Sequence, residues 1–82
     1  MTTFTITRTL DLKGFTCPIP IVRTAQAMKE LGPGDVVEVL ATDAGSVKDF
    51  AAWSKTTGNP LVEQTQEGGV FRFLLMKKGD VK

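Results

Sequence analysis

Residues 14–20 read Gly-Phe-Thr-Cys-Pro-Ile-Pro and stand between two patterns of different period. Before them, apolar residues alternate with threonine, as in a half-buried strand. After them, apolar residues recur every three or four positions, as in a helix. Proline suits the first turn of a helix because its missing N–H would have no intrahelical acceptor there. We therefore place Cys17 at or just before the N-terminus of a helix that contains Pro18 and Pro20.

Cys17 is the only cysteine of the 82-residue chain, which contains no histidine. Unpaired N–H groups and the helix dipole favour negative charge at a helix N-terminus. The thiol of Cys17 should therefore ionise more easily than a free thiol, and the thiolate is the reactive form. The prolines remove two first-turn donors and leave the N–H groups of Ile19 and Ile21, so we expect a modest anion site. The alternative interpretation is that Cys17 is a small buried hydrophobe.

Composition excludes several functional classes. Ten basic and nine acidic side chains give a formal charge of +1, which provides no general attraction to nucleic acid or membranes. One cysteine excludes an intrachain disulfide and a multi-cysteine zinc site, and the absence of histidine excludes Cys–His and Ser–His–Asp catalysis. No membrane span or signal-peptide pattern is evident, so we expect a cytoplasmic location. We expect a single domain over residues 1–82, without metal or cofactor.

Periodicity and turn residues predict the element order β-α-β-α-β-β. The second strand is apolar on both faces except at Glu38, as in a central strand with a parallel neighbour. Gly68-Gly69 predicts a hairpin. We therefore predict an α+β fold, a two-layer βαβαββ sandwich with a four-stranded mixed sheet and two helices on one face. The elements are expected at Thr3–Leu12, Pro18–Leu31, Val36–Thr42, from Ser46 to a stop at Gly58-Asn59-Pro60, Leu61–Gln66 and Val70–Lys77.

Finer features of these elements also follow from the pattern. Ser46, with Asp49 three residues on, resembles a capping box at the second helix, and Asp43 is the alternative cap. Gly32 is expected to end the first helix in a left-handed conformation. The first strand should bury one face and the first helix one stripe. These consist of Phe4, Ile6, Leu10 and Leu12 in the strand, and of Ile21, Val22, Ala25, Met28 and Leu31 in the helix.

Two polar side chains are candidate neighbours of Cys17. In open α/β sheets, ligand chemistry collects at the carboxyl ends of parallel strands, where Cys17 and Asp43 follow the first and second strands. Asp43 is interpreted as a helix cap, as a group that shapes the pocket or helps to pass on a proton, or as both. It is not expected to activate Cys17, because a nearby carboxylate raises the pKa of a thiol. Arg23 is the nearest positive charge on the helix, and a solvated helix charge is its alternative interpretation.

The segment Leu10–Pro20, continuing through Arg23-Thr24, resembles the signature of TusA/SirA-like sulfur-carrier proteins, with Cys-Pro-x-Pro at its centre. The resemblance implies a βαβαββ sandwich in which Cys17 carries a persulfide, supported by Pro18, Pro20, Arg23 and Asp43. Relatives often have more polar or aliphatic residues before the cysteine than the Gly14-Phe15-Thr16 of this chain. This difference is expected to affect the choice of partner and not the chemistry. Three further blocks are similar to the family: Pro33-Gly34-Asp35, Ala41-Thr42-Asp43 with Asp49-Phe50 and Trp53, and Phe73–Gly79.

The resemblance also implies partner proteins. A cysteine desulfurase or a rhodanese-like protein would load Cys17, and an acceptor protein would take the sulfur for tRNA thiolation, molybdenum-cofactor assembly or sulfur oxidation. Neither nucleic acid nor a membrane is expected to bind directly. A chain without a second thiol suits a sulfurtransferase-type carrier, because a resolving cysteine would release the sulfur as sulfide. Two alternatives stay open: a thiol redox sensor, or a non-catalytic interaction module that docks by its open sheet face or by Phe15 and Trp53.

Overall fold

Four strands and two helices occur in the predicted order. The computed structural model describes residues 6–16 and 19–78. The elements are β1 (Ile6–Leu12), α1 (Ile19–Met28), β2 (Val36–Ala41), α2 (Ser46–Thr57), β3 (Leu61–Glu67) and β4 (Val70–Met76). Residues 3–5 of the predicted first strand and Pro18 of the predicted first helix lie outside the described residues. Within the described ranges, no helix is long and apolar enough to cross a membrane.

The strands form one mixed sheet in the order β1-β2-β4-β3. β1 runs parallel to β2, and β4 runs antiparallel to both β2 and β3. Gly68 and Gly69 join β3 to β4 with φ values of +57° and +81°, as a tight hairpin turn of the primed type requires. The predicted α+β sandwich with a four-stranded mixed sheet is therefore confirmed, and β2 is the central strand that its apolar pattern indicated.

The core lies between the sheet and the two helices. Val39 of β2 pairs with Phe73 of β4, and both side chains are fully buried. Phe50 of α2 packs on Phe73 with ring centroids 4.7 Å apart. Leu12 of β1 and Met28 of α1 belong to the same buried cluster. Burying an apolar side chain of this size stabilises the fold by roughly 1.5–3 kcal/mol relative to leaving it exposed, so this cluster holds the helices on the sheet.

β1 differs from the predicted face assignment at its start. The register shifts between Ile6, which pairs with Val36, and Arg8, which pairs with Val37. Paired residues share a face of the sheet and successive residues alternate, so Ile6 lies on the face opposite to that of Leu10 and is 37% exposed. The prediction that Ile6 and Leu10 share a buried face was wrong, because a bulge interrupts the period of two.

α1 buries part of the predicted stripe together with two residues that were not predicted. Val22 is 48% exposed, whereas Thr24 and Ala27 are buried. The Thr24 hydroxyl donates a hydrogen bond to the Pro20 carbonyl at 2.8 Å, so this polar side chain enters the core with its hydrogen bond made. A search for apolar residues alone therefore misplaced part of the buried face. Three predicted members of the stripe do contact the core: Ile21, Met28 and Leu31.

α1 ends at Met28, three residues before the predicted end at Leu31. The N–H of Leu31 donates to the Met28 carbonyl at 3.1 Å, in the i to i−3 pattern of a tightened final turn. The Asp35 carboxylate accepts a hydrogen bond from the Gly32 N–H at 2.8 Å. Gly34, at φ +88°, is the left-handed residue of this turn. The prediction that Gly32 is left-handed was wrong, because the carboxylate of Asp35 supplies the local bond that holds Gly32.

Candidate functional site

The loops that follow β1 and β2 meet at one edge of the sheet, which we call the carboxyl edge. Leu12 and Ala41, the last residues of these strands, pair with each other. The Gly14 N–H donates a hydrogen bond to the Thr42 hydroxyl at 2.9 Å. Gly14 has a φ of +90°, a conformation that other residues rarely adopt. The edge at which the sequence predicts Cys17 is thus held by a direct contact between its two loops.

Cys17 and Pro18 lie outside the described residues, so their predicted roles stay predictions. The chain is described on both sides of them. The Thr16 carbonyl accepts a hydrogen bond from the Ile19 N–H at 3.0 Å. The expectation that Ile19 offers an unpaired donor to an anion was therefore wrong. Pro20 is buried at the start of α1, so this part of the motif contributes to packing.

Three exposed hydrophobic side chains stand on either side of Cys17 in the sequence, and we call them the apolar rim. They are Phe15 at 39% exposure, Ile19 at 39% and Val22 at 48%. Ile19 and Val22 are three residues apart on α1 and are therefore neighbours on the helix surface. Contiguous exposed apolar side chains are typical of a protein-binding surface. The sequence suggested Phe15 as a docking residue, whereas the exposure of Ile19 and Val22 was not predicted.

Asp43 lies at the carboxyl edge, where the chain enters α2. Its carbonyl accepts the Ser46 N–H at 2.9 Å, and its carboxylate accepts the Gly45 N–H at 3.4 Å. Gly45 is the capping residue, and Ser46, the first residue of α2, is buried with no partner for its hydroxyl among the described residues. The predicted capping box of Ser46 and Asp49 was therefore wrong, because Ser46 turns inward. A contact between Asp43 and Cys17 stays a prediction.

Arg23 lies beside β1 on the exposed side of α1. With Arg8, Asp11 and Glu30, it lines a shallow groove of about 300 Å³ between these two elements. Arg8 and Glu30 form an ion pair at 2.7 Å across the same groove. Arg23 therefore has neighbours of both charges along β1, and its support of Cys17 stays a prediction.

Arg72 forms two ion pairs on the sheet face that the helices leave uncovered. The Arg72 guanidinium pairs with Glu38, and also with Glu63 at 3.2 Å. The hydrogen bond from Arg72 lowers the pKa of Glu38 although burial opposes it, and the same bond raises the pKa of Arg72. This pairing explains how the central strand accommodates Glu38. Residues 6–16 and 19–78 contain no group of three or more His, Cys, Asp or Glu side chains that could hold a metal ion.

Known proteins resemble this chain over most of its length. A family model described as sulfurtransferase TusA matches residues 8–77. The putative sulfur carrier protein YrkI of Bacillus subtilis is 51% identical over 70 residues, which cover 85% of this chain and 93% of that protein. The sulfur carrier protein TusA of Allochromatium vinosum is 50% identical over 68 residues, covering 83% and 90% respectively. The crystal structure of a SirA-like protein from Desulfitobacterium hafniense has a TM-score of 0.77 at 30% identity, covering 87% of this chain and 97% of that one.

Proposed function

Because the chain belongs to the TusA family of sulfurtransferases, we propose that it carries sulfane sulfur as a persulfide on Cys17 and passes that sulfur to a partner protein. The observation that supports this most directly is the carboxyl edge, where the Gly14 N–H binds the Thr42 hydroxyl. The only cysteine of the chain follows Gly14 by three residues. In open α/β sheets this edge is where ligand chemistry collects.

The proposed reaction consists of two sulfur transfers without net oxidation. The Cys17 thiolate attacks the outer sulfur of a persulfide on the donor, which forms a new S–S bond and breaks the bond within the donor. The donor cysteine leaves as a thiolate, and Cys17 then carries the outer sulfur. A thiolate of the acceptor attacks that sulfur in turn, and Cys17 leaves as the thiolate with which it began.

A single thiol favours this reaction over a redox role. A second cysteine within reach would attack the Cys17 persulfide, form a disulfide and release the sulfur. The chain has one cysteine and no histidine, so both the storage of the sulfur and the rate of transfer depend on Cys17 and on the partner protein. We therefore regard the chain as a carrier that acts with partners more than as a stand-alone enzyme.

The apolar rim is the proposed contact for these partners. Phe15 precedes Cys17 by two residues and Ile19 follows it by two, and both side chains are exposed. A partner that covers them would exclude water from the sulfur and bring its own cysteine to Cys17. The proposed donor is a cysteine desulfurase or a rhodanese-like protein. The proposed acceptor serves tRNA thiolation, molybdenum-cofactor assembly or sulfur oxidation in the cytoplasm.

Intact-protein mass spectrometry after incubation with a cysteine desulfurase and cysteine tests the proposal. The expected product has gained the mass of one sulfur atom, and dithiothreitol reverses the gain with release of sulfide. The Cys17→Ser variant should gain nothing. Reversal is an essential part of the readout, because two oxygen atoms have nearly the same mass as one sulfur and a sulfinic acid is not reduced by dithiothreitol.

Three outcomes would contradict the carrier. A gain of oxygen alone under mild peroxide, with no sulfur loaded from any donor, would favour a redox sensor. Partner binding that survives Cys17→Ala, again without sulfur loading, would favour an interaction module. Loading that persists in Cys17→Ser would place the sulfur on another residue.

A further inference from the structure

A second concave surface lies at the end of the sheet opposite to the carboxyl edge. It is a groove of about 730 Å³ between the C-terminal halves of α1 and α2 and the residues that follow β4. Met28 and Leu31 from α1 and its following turn contribute apolar walls, and Trp53 of α2 contributes an aromatic one. α1 has ten residues, so its two ends are about 15 Å apart. A ligand in this groove would leave the carboxyl edge uncovered.

Among the described residues, the charged side chains that line this groove are positive. Lys29, Lys77 and Lys78 line it, and none of the lining residues within 6–16 and 19–78 is an aspartate or glutamate. The Lys77 ammonium donates a hydrogen bond to the Met28 carbonyl at 2.7 Å. Its charge therefore interacts with the partial negative charge at the C-terminal end of α1. Lys29 and Lys78 are exposed and form no ion pair with the described residues. With Lys77 bound to the end of α1, Lys29 and Lys78 remain as cations beside the groove in a chain whose formal charge is +1.

Two contacts fix the geometry of the groove. The Lys78 backbone N–H donates to the side-chain carbonyl of Asn59 at 2.9 Å, which anchors the chain after β4 beside the end of α2. The Trp53 ring packs edge-on against Phe50 with centroids 6.5 Å apart and an interplanar angle of 78°. Trp53 is half-buried, so one side of the indole is held by the core while the residue also lines the groove. A preformed aromatic wall with nearby cations matches an amphipathic ligand.

We propose that this groove binds a small organic anion, in which a carboxylate or phosphate group faces Lys29 and Lys78 and an apolar body lies against Trp53. The volume is within the range of about 300–1,000 Å³ that is usual for small-molecule sites. A neutral apolar molecule would leave the lysines unused, and inorganic phosphate would leave the apolar walls unused. The proposal does not depend on sulfur transfer, because none of its residues belongs to the carboxyl edge.

Titration with 4-phenylbutyrate, followed by the indole N–H resonance of Trp53, tests the proposal. Trp53 is the only tryptophan, so its indole gives one unambiguous signal. The neutral isostere 4-phenylbutyramide is the matched ligand. The carboxylate should shift the resonance saturably, and the amide should bind roughly threefold to tenfold more weakly, as expected for the loss of a charge–charge contact near a surface. Equal affinities of the two ligands, or no saturable shift with the carboxylate, would overturn the proposal.

Matched variants separate the groove from general electrostatics. Lys29→Gln with Lys78→Gln removes two charges at the groove. Lys48→Gln with Lys55→Gln removes two charges from α2 residues that do not line it. The first pair should weaken 4-phenylbutyrate binding about tenfold, and the second by less than about twofold. Equal weakening by both pairs would overturn the proposal. Circular dichroism of each variant establishes that it is folded.

Discussion

The Gly14 N–H and the Thr42 hydroxyl form a hydrogen bond of 2.9 Å that joins the loop after β1 to the loop after β2. The two residues are 28 positions apart in the chain. Each loop belongs to a separate prediction from the sequence, the first around Cys17 and the second around Asp43. Their contact is what gives the carboxyl edge a defined shape.

Replacement of Thr42 by valine should loosen this edge while the fold remains. The variant keeps the shape of the side chain and removes the acceptor of the Gly14 N–H. The bond is exposed, so we expect the free energy of unfolding to fall by no more than about 1.5 kcal/mol. Sulfur loading on Cys17 should slow severalfold, because the loop would sample more positions. Urea unfolding and time-resolved mass spectrometry measure the two quantities.

Thr65→Val is the matched control for this loop contact. Thr65 is an exposed threonine on β3, and β4 separates this strand from β2. Its replacement should leave sulfur loading unchanged. If Thr42→Val and Thr65→Val load sulfur at the same rate, the contact between the loops has no part in the reaction.

Val22→Ser tests the apolar rim as the partner surface. Val22 is 48% exposed, so we expect the free energy of unfolding to change by no more than about 0.5 kcal/mol. The KM for the donor protein should rise by roughly threefold to tenfold, as expected for a residue that makes a moderate contribution to the binding free energy of an interface. Steady-state kinetics of sulfur loading from a cysteine desulfurase give this value.

Gln26→Ser provides the comparison on the same helix. Gln26 is exposed and one turn beyond Val22, but it is polar and outside the apolar rim. This variant should keep the KM of the unmodified protein. An unchanged KM in Val22→Ser, or an equal rise in both variants, would remove Val22 from the partner surface.

The topology could be predicted because its signals are local. Alternation before Gly14, a period of three to four after Pro18, and glycine at residues 68–69 define the elements without reference to distant residues. A helix between two apolar strands then favours their parallel pairing. The observed order of elements follows these signals, although α1 ends three residues early because of the turn held by Asp35.

The features that the sequence did not predict depend on contacts between distant segments or on satisfied polar groups. The bulge that turns Ile6 to the other face of β1 is set by the register with β2. Thr24 is buried because Pro20 accepts its hydrogen bond. The groove lined by Lys29, Lys77 and Lys78 is formed by α1, α2 and the end of β4, and no single stretch of sequence indicates it. Cys17 itself is conspicuous in the sequence because it is the only thiol.

The pairing of Glu38 with Arg72 should make the stability depend on pH. Arg72 holds the pKa of Glu38 below its ordinary value of 4.5. The contribution of this pair is therefore fully present above that ordinary value and is lost as the pH falls through the lower pKa of the folded state. Near neutral pH, Glu38→Gln should lower the free energy of unfolding by about 1–3 kcal/mol relative to the unmodified protein. Below pH 4.5 its stability should approach that of the unmodified protein.

Glu30→Gln is the comparison for this ion pair. Glu30 pairs with Arg8, but both side chains are largely exposed. Such pairs contribute about 0–1 kcal/mol and are screened by salt. Urea unfolding of both variants across the acidic range separates the two cases. A loss in Glu38→Gln that stays constant with pH would show that packing, not charge, accounts for it.

Ser46→Ala tests how α2 begins. Ser46 is buried at the start of the helix, and its hydroxyl has no hydrogen-bond partner among the described residues. Removing a buried hydroxyl that makes no hydrogen bond should leave the stability unchanged or raise it by up to about 1 kcal/mol. A serine that capped the helix would instead cost about 0.5–2 kcal/mol on replacement by alanine. The sign of the change in the free energy of unfolding therefore distinguishes the observed geometry from a capping box.

Thr24→Val completes this comparison, because it removes a buried hydroxyl whose hydrogen bond is made. Thr24 donates to the Pro20 carbonyl at 2.8 Å. We expect Thr24→Val to lower the free energy of unfolding by about 0.5–1.5 kcal/mol. The two variants should therefore change the midpoint of urea unfolding in opposite directions, or only Thr24→Val should change it. A loss in Ser46→Ala as large as that in Thr24→Val would mean that the Ser46 hydroxyl has a partner in solution.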